Sequence, residues 1–189
     1  MIKGKLTILR EKRLEDAELD YKWRVDEELS ALDATSPLRM SYSSYLRLVE
    51  DELRHPLPWS KRFAIETHAG KIIGNCMYYD IDTVKGQAEL GVMIGDKDYW
   101  NMGYGTDAVT TLTNHIFNTT SFARIYLHTL SWNIRAQKAF KKCGFTDINP
   151  VKRSGYDFKL MELIRDRWEQ LNSNTTLSQD HSVGEPRSP

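Results

Sequence analysis

The spacing of apolar positions changes several times along this chain, and each change marks an element. Leu6, Ile8 and their neighbours form a short first strand; from about Leu14 the apolar residues Leu14, Ala17, Tyr21 and Val25 recur at helical intervals on a helix whose outer face is acidic. Ser36-Pro37 breaks the pattern. A second helix is expected over about Tyr42 to Arg54, with Tyr45, Leu48, Val49 and Leu53 inward and Pro56 and Pro58 stopping it. Strands follow at Arg62 to Thr67 and Lys71 to Tyr79, joined at Gly70 as a hairpin. In the fourth strand, Gln87 to Ile94, strict alternation places Ala88, Leu90, Val92 and Ile94 on one face and Gln87, Glu89, Gly91 and Met93 on the other. A helix from about Tyr104 to Phe117, a fifth strand from Ala123 to Leu130, a helix from Asn133 to Cys143 and a strand pair near Thr146 to Leu163 complete the pattern.

This order of elements predicts one domain over residues 1–171, an α/β or α+β sheet covered on both faces. Beyond Leu171 the apolar periodicity stops, and residues 172–189 are expected to be an unstructured tail. No apolar stretch reaches the roughly 18 to 20 residues of a membrane span, and the first residues alternate apolar side chains with charges, so the chain is expected to be cytoplasmic and free of membrane. Cys76 and Cys143 lie in apolar contexts without metal-ligand spacing, which predicts buried free thiols and no metal site.

Formal net charge is zero, yet its distribution is uneven. Residues 1–100 carry 15 basic and 18 acidic side chains, and residues 101–189 carry 11 and 8. Between residues 15 and 33 eight acids face two bases, a solvated helix face that could also draw a cationic amine. From Ala108 through Thr146 no acid occurs, while Arg124, Arg135, Lys138, Lys141 and Lys142 are cationic, which suits both a phosphorylated ligand and a helix C-terminus.

Two segments carry the chemistry. Tyr99-Trp100-Asn101-Met102-Gly103-Tyr104-Gly105-Thr106 reads as a glycine-rich turn opening a helix after a strand, which presents unpaired N–H groups and a positive dipole end to a phosphate. Asn133-Ile134-Arg135-Ala136, leading to Phe140-Lys141-Lys142-Cys143-Gly144-Phe145, reads as an Asn-capped helix stopped by Gly144. Two helices entered this way can hold one long phosphorylated ligand.

Together with Glu89-Leu90-Gly91-Val92-Met93-Ile94, these segments closely resemble the GNAT superfamily of acetyl-CoA-dependent N-acetyltransferases over roughly residues 5–165, and the Tyr-Trp-x-x-Gly-Tyr-Gly-Thr form is similar to its RimJ/RimL branch. The resemblance implies a GNAT fold: a mixed, mostly antiparallel sheet that splays between the fourth and fifth strands, with acetyl-CoA in the gap as cosubstrate. It implies that Val92, Met93 and Ile94 pair with the pantetheine arm, with the N–H of Met93 or a neighbour polarising the thioester carbonyl. It also implies that the amides of Asn101, Met102, Gly103, Tyr104, Gly105 and Thr106 hold the pyrophosphate, that Asn133 bonds the pantetheine arm or thioester side, and that Phe140 and Ala136 pack beside them.

An amine attacks a thioester only when neutral, so a carboxylate, directly or through water, must remove a proton. Glu89 is the base candidate, because it stands beside Gly91 on the mixed face of the fourth strand. The sequence departs from the family where many relatives carry a Tyr, here Phe140, and where some carry a Ser, here Ala136, which leaves Tyr126, His128, Tyr156 or solvent as proton donors. Trp100 likewise replaces a usual basic or Gln residue ahead of the first motif glycine. Trp23, Tyr42, Tyr45, Trp59 and Trp132 could line an acceptor pocket or belong to the core. His55, His68, His115 and His181 have no metal or triad spacing.

Gly103-Tyr104-Gly105-Thr106-Asp107-Ala108 also fits a dinucleotide fingerprint, but the acid expected about 20 positions on is missing, since the first acid after Asp107 is Asp147. Nucleic-acid binding finds no motif. The expectation is therefore an enzyme that passes acetyl to a primary amine: a peptide or protein N-terminus, or a small amine such as a polyamine or aminoglycoside. The alternative is a non-catalytic acetyl-CoA-binding module. A homodimer is left open.

Overall fold

The computed structural model describes residues 1–180, with side chains to Ser173. Its frame is one eight-stranded sheet in the order β1-β2-β3-β4-β5-β6-β8-β7. The strands are β1 (Ile2–Lys3), β2 (Thr7–Glu11), β3 (Ser60–Thr67), β4 (Ile72–Asp82), β5 (Gln87–Ile94), β6 (Arg124–Leu130), β7 (Thr146–Arg153) and β8 (Tyr156–Ile164). The helices are α1 (Ala17–Val25), α2 (Glu27–Leu32), α3 (Tyr42–Arg54), α4 (Tyr104–Thr119), α5 (Ile134–Lys142) and α6 (Arg165–Asp180). None of the described helices is long and apolar enough to cross a membrane.

All pairings are antiparallel except β5 with β6, which is parallel and lasts only for Gln87↔Arg124, Ala88↔Ile125 and Glu89↔Tyr126. Beyond Glu89 the two strands part, as the resemblance implied. A short β5–β6 ladder follows from the crossover: α4 connects the strands in parallel and packs under β2, β4 and β5 through Ala108, Val109, Leu112 and Ile116, all essentially buried. On the sheet, Ala88 and Leu90 meet this helix, so the alternation in β5 was assigned to the correct faces.

Asp107 ties the start of α4 to the first strands. Its carboxylate accepts the N–H groups of Lys5, Leu6 and Thr7 and the Thr7 hydroxyl at 2.7–3.0 Å. At the other end of α4, Arg165 donates to the carbonyls of Phe117, Thr120 and Phe122 at 2.7–3.0 Å, satisfying groups the helix terminus leaves open. Arg165→Ala is expected to lower the unfolding free energy by about 2 kcal/mol, read from the urea midpoint at unchanged m. Trp168 of α6 stacks on Phe117 at 5.1 Å and donates to Asn114, so the closing helix is anchored on α4. This helix crosses the boundary expected at 171/172; residues 181–189 of the expected tail lie outside the described residues.

The N-terminal helix differs from its sequence reading. Leu14 is exposed and forms part of a single 3-10 turn, while Asp16, Ala17, Asp20 and Trp23 are buried. Ion pairing drives the rotation. Arg10 holds Asp16 in two hydrogen bonds of 2.7 and 2.9 Å, and Lys12 joins Asp20 and the Asn75 side chain. Burial opposes the Asp16 charge, but the Arg10 guanidinium and the Arg13 amide outweigh it and hold the carboxyl below its usual range. Leu48 and Leu53 of α3, expected inward, are exposed, and Val49 is the residue that helix buries. Both cysteines are free and buried.

Candidate active site

The parting of β5 from β6 opens a cleft of about 560 Å³. Val92, Met93 and Ile94 form one wall, Asn101, Gly103, Gly105 and Thr106 its end, and Asn133, Ala136 and Phe140 the opposite wall. These ten expected residues therefore share one space. Met102 is exposed, and neither it nor Tyr104 lines the cleft.

The strand edge facing this gap can be read from the ladder. Gly95 N–H bonds Ile73 O of β4, and a side chain at Gly74 would collide with the Met93 carbonyl, so the backbone groups of Met93 and Gly95 face β4. Alternation then turns those of Val92 and Ile94 toward the gap. The Met93 amide, expected as one candidate to polarise a thioester, therefore faces away from the gap, and the Ile94 carbonyl already accepts the Trp100 indole N–H at 2.7 Å.

The glycine turn opens the helix, as its sequence predicted. Gly103 occupies the left-handed region at φ 89°, preceded by Asn101 at φ 61°, and no side chain caps the helix. Asp107 N–H makes the first bond of the helix, to Gly103 O, so the amides of Tyr104, Gly105 and Thr106 precede it. At the facing helix the Asn133 side chain accepts from Ala136 N–H at 3.2 Å, which is the cap expected from sequence. Its amide nitrogen is left free to serve a ligand.

The basic side chains divide. Arg135, Lys138 and Lys142 line the cleft, whereas Lys141 pairs with Asp147 and Arg124 with Glu162. Arg135 lies 3.6 Å over the Trp100 ring, so a guanidinium reaches the cradle from α5 where the motif itself has lost its basic residue. The acidic stretch is largely engaged: Asp26 and Glu28 hold Lys97, Glu18 holds Lys22, Asp33 faces Arg24, and Asp16 and Asp20 are buried. It is neither a simply solvated face nor a free acidic funnel. Sequence reasoning missed α2, whose Leu29 and Leu32, with Asp33 just after it, also line the cleft; a six-residue helix with a single Asp cap carries too little periodicity to stand out.

Glu89 sits at the vertex where β5 and β6 part, only 3% exposed and outside the lining of the cleft. It points to the sheet face shared with α1. Its Oε1 lies 2.8 Å from His128 Nδ1 and its Oε2 3.8 Å from Arg153 Nη1. Burial, then the Glu89 charge and hydrogen bond, push the Tyr79 hydroxyl far above its ordinary value; burial and the charges of Glu89 and Asp80 also raise Tyr126. Of the aromatic candidates, Trp23 is buried against Gly95, Tyr42 and Tyr45 pack around Tyr21, and Trp59 and Trp132 are exposed.

The family model described as the acetyltransferase (GNAT) domain matches residues 7–146. The chain belongs to the GNAT acetyltransferases, enzymes whose acetyl donor is acetyl-CoA. Among solved structures it resembles a spermidine N-acetyltransferase from Vibrio cholerae in complex with CoA and spermine, with TM-score 0.77 and 18% identity over 87% of this chain and 98% of that one. An aminoglycoside acetyltransferase in complex with coenzyme A aligns with TM-score 0.73 and 17% identity, over 88% and 99%. A GNAT-family acetyltransferase from Bacillus anthracis aligns with TM-score 0.73 and 14% identity, over 87% and 98%. No curated sequence relative matches. At these identities the structural likeness carries the fold.

Proposed function

We propose that this chain transfers acetyl from acetyl-CoA directly to a primary amine within a ternary complex. The observation that carries the reading is the open edge of β5 leading from Glu89 to the uncapped, glycine-entered end of α4. Val92 and Ile94 would pair with the pantetheine arm, the first amides of α4 with the pyrophosphate, and Arg135, Lys138 and Lys142 with the remaining phosphate charge. Ala136 and Phe140 would pack along the arm, and Asn133 would bond it. Glu89 supplies the negative charge that removal of the amine proton requires.

The favoured acceptor is a peptide or protein N-terminal α-amine, supported by the similarity of Tyr99 to Thr106 to the RimJ/RimL branch. The solved relatives named for spermidine and aminoglycoside acetylation support a small amine as the second class. Calorimetric titration with acetyl-CoA, followed by thiol release against N-terminal peptides, polyamines and aminoglycosides, tests the proposal. Release with one class identifies the acceptor. Phe140 and Ala136, apolar where relatives carry proton donors, favour a binding module as the second reading; binding without release from any acceptor would select it.

A further inference from the structure

Glu89 is too enclosed to meet a substrate amine, but it is not isolated. His128 stands two residues beyond Tyr126, the last β6 partner of β5, and so reaches across the vertex on the same sheet face as Glu89. In the tautomer that donates Nδ1–H to the Glu89 carboxylate across the 2.8 Å contact, the Nε2 lone pair is open. Among the described residues no fully buried side-chain nitrogen or oxygen lacks a hydrogen-bond partner, and Nε2 makes no such bond; it is therefore reachable from solvent. A buried carboxylate orienting an imidazole whose far nitrogen is open is the arrangement of an activated base.

Resting on the acetyltransferase reading above, the geometry points to His128 as the residue that takes the amine proton, with Glu89 as its positioning partner. The groups facing the ring are Glu89 from β5, Arg153 from β7, whose Nη1 lies 3.5 Å from Nδ1, the ring of Tyr126 on β6 and Phe158 of β8, whose own neighbour is Tyr156; the Tyr79 hydroxyl on β4 bonds Glu89. Arg153 draws on Oε2 and leaves Oε1 to the ring. An entering ammonium gives one proton to Nε2, which passes it to water. The neutral nitrogen then attacks the thioester carbon: the N–C bond forms and the carbonyl electrons move to oxygen. Nε2 takes the second nitrogen proton, the oxyanion collapses, the C–S bond breaks, and the thiolate receives that proton from the imidazolium. Amide and CoA thiol result, with one proton released. The same ring thus serves as acid, a role Phe140 and Ala136 cannot fill.

His128→Asn tests this, because its amide can still donate to Glu89 while the Nε2 lone pair is lost. The amine kcat/KM is expected to fall about 10²-fold or more with acetyl-CoA affinity unchanged. In His128→Ala, added imidazole should restore rate in proportion to its concentration; this arm decides the matter if the Asn variant fails to fold. Unchanged turnover, or lost turnover without imidazole rescue, would overturn the role of His128 while leaving the enzyme reading in place. A wild-type protein that binds acetyl-CoA but acetylates no amine would overturn both.

Discussion

Glu89→Gln is expected to lower turnover by about 10²- to 10⁴-fold while acetyl-CoA affinity stays within about twofold. The separation follows from placement. Glu89 lies at the vertex and is not among the residues that line the cleft, so on the proposed reading losing its charge spares the surroundings of acetyl-CoA. What changes is the His128 contact at 2.8 Å. A Gln amide either donates to Nδ1, which forces the ring proton onto Nε2, or accepts without a charge to stabilise an imidazolium; in both cases proton removal from the amine suffers. Steady-state thiol release and calorimetric titration of the same preparation separate rate from binding. Equal losses in both would remove Glu89 from the proton-transfer machinery.

Gly105→Val should instead weaken acetyl-CoA binding about 100-fold or more, the equivalent of about 2.7 kcal/mol, with little change in melting temperature. A Cβ at Gly105 would meet Ile94 Cγ1 at 3.6 Å, an ordinary contact, so the chain tolerates a side chain there. On the proposed reading the ligand does not, because Gly105 lines the end of the cleft where the backbone would approach a pyrophosphate. Gly103 makes a poorer probe. Its φ of 89° would strain any replacement, mixing a folding cost into the binding loss. Unchanged affinity in Gly105→Val would sink the cradle assignment.

Much of the local structure around the cleft was legible in the sequence because its signals are local. A left-handed glycine before a helix, an Asn three residues ahead of an amide it accepts, and alternation along Gln87 to Ile94 each depend on a few consecutive residues. The same logic failed for α1. Helical spacing selected Leu14 and Tyr21 as inward, but Arg10 and Lys12 on or beside β2 offer Asp16 and Asp20 partners, and a paired carboxylate can occupy the interior that an apolar side chain was expected to fill.

Sequence by itself determined the order of the longer strands and helices and the two helix entries, while the parting of β5 from β6 was legible only through the family resemblance. Tertiary structure alone decided the chemistry at the vertex. Glu89 and His128 are 39 residues apart and meet because three parallel pairs set the register of β5 against β6; a one-residue slip would turn one of them to the opposite face. Arg153 joins them only because β7 folds back along β8, and Arg135 covers Trp100 only because α5 enters beside α4. Contacts at such separations leave no period or spacing in the chain; they exist only once the sheet has assigned each strand its neighbour and its register.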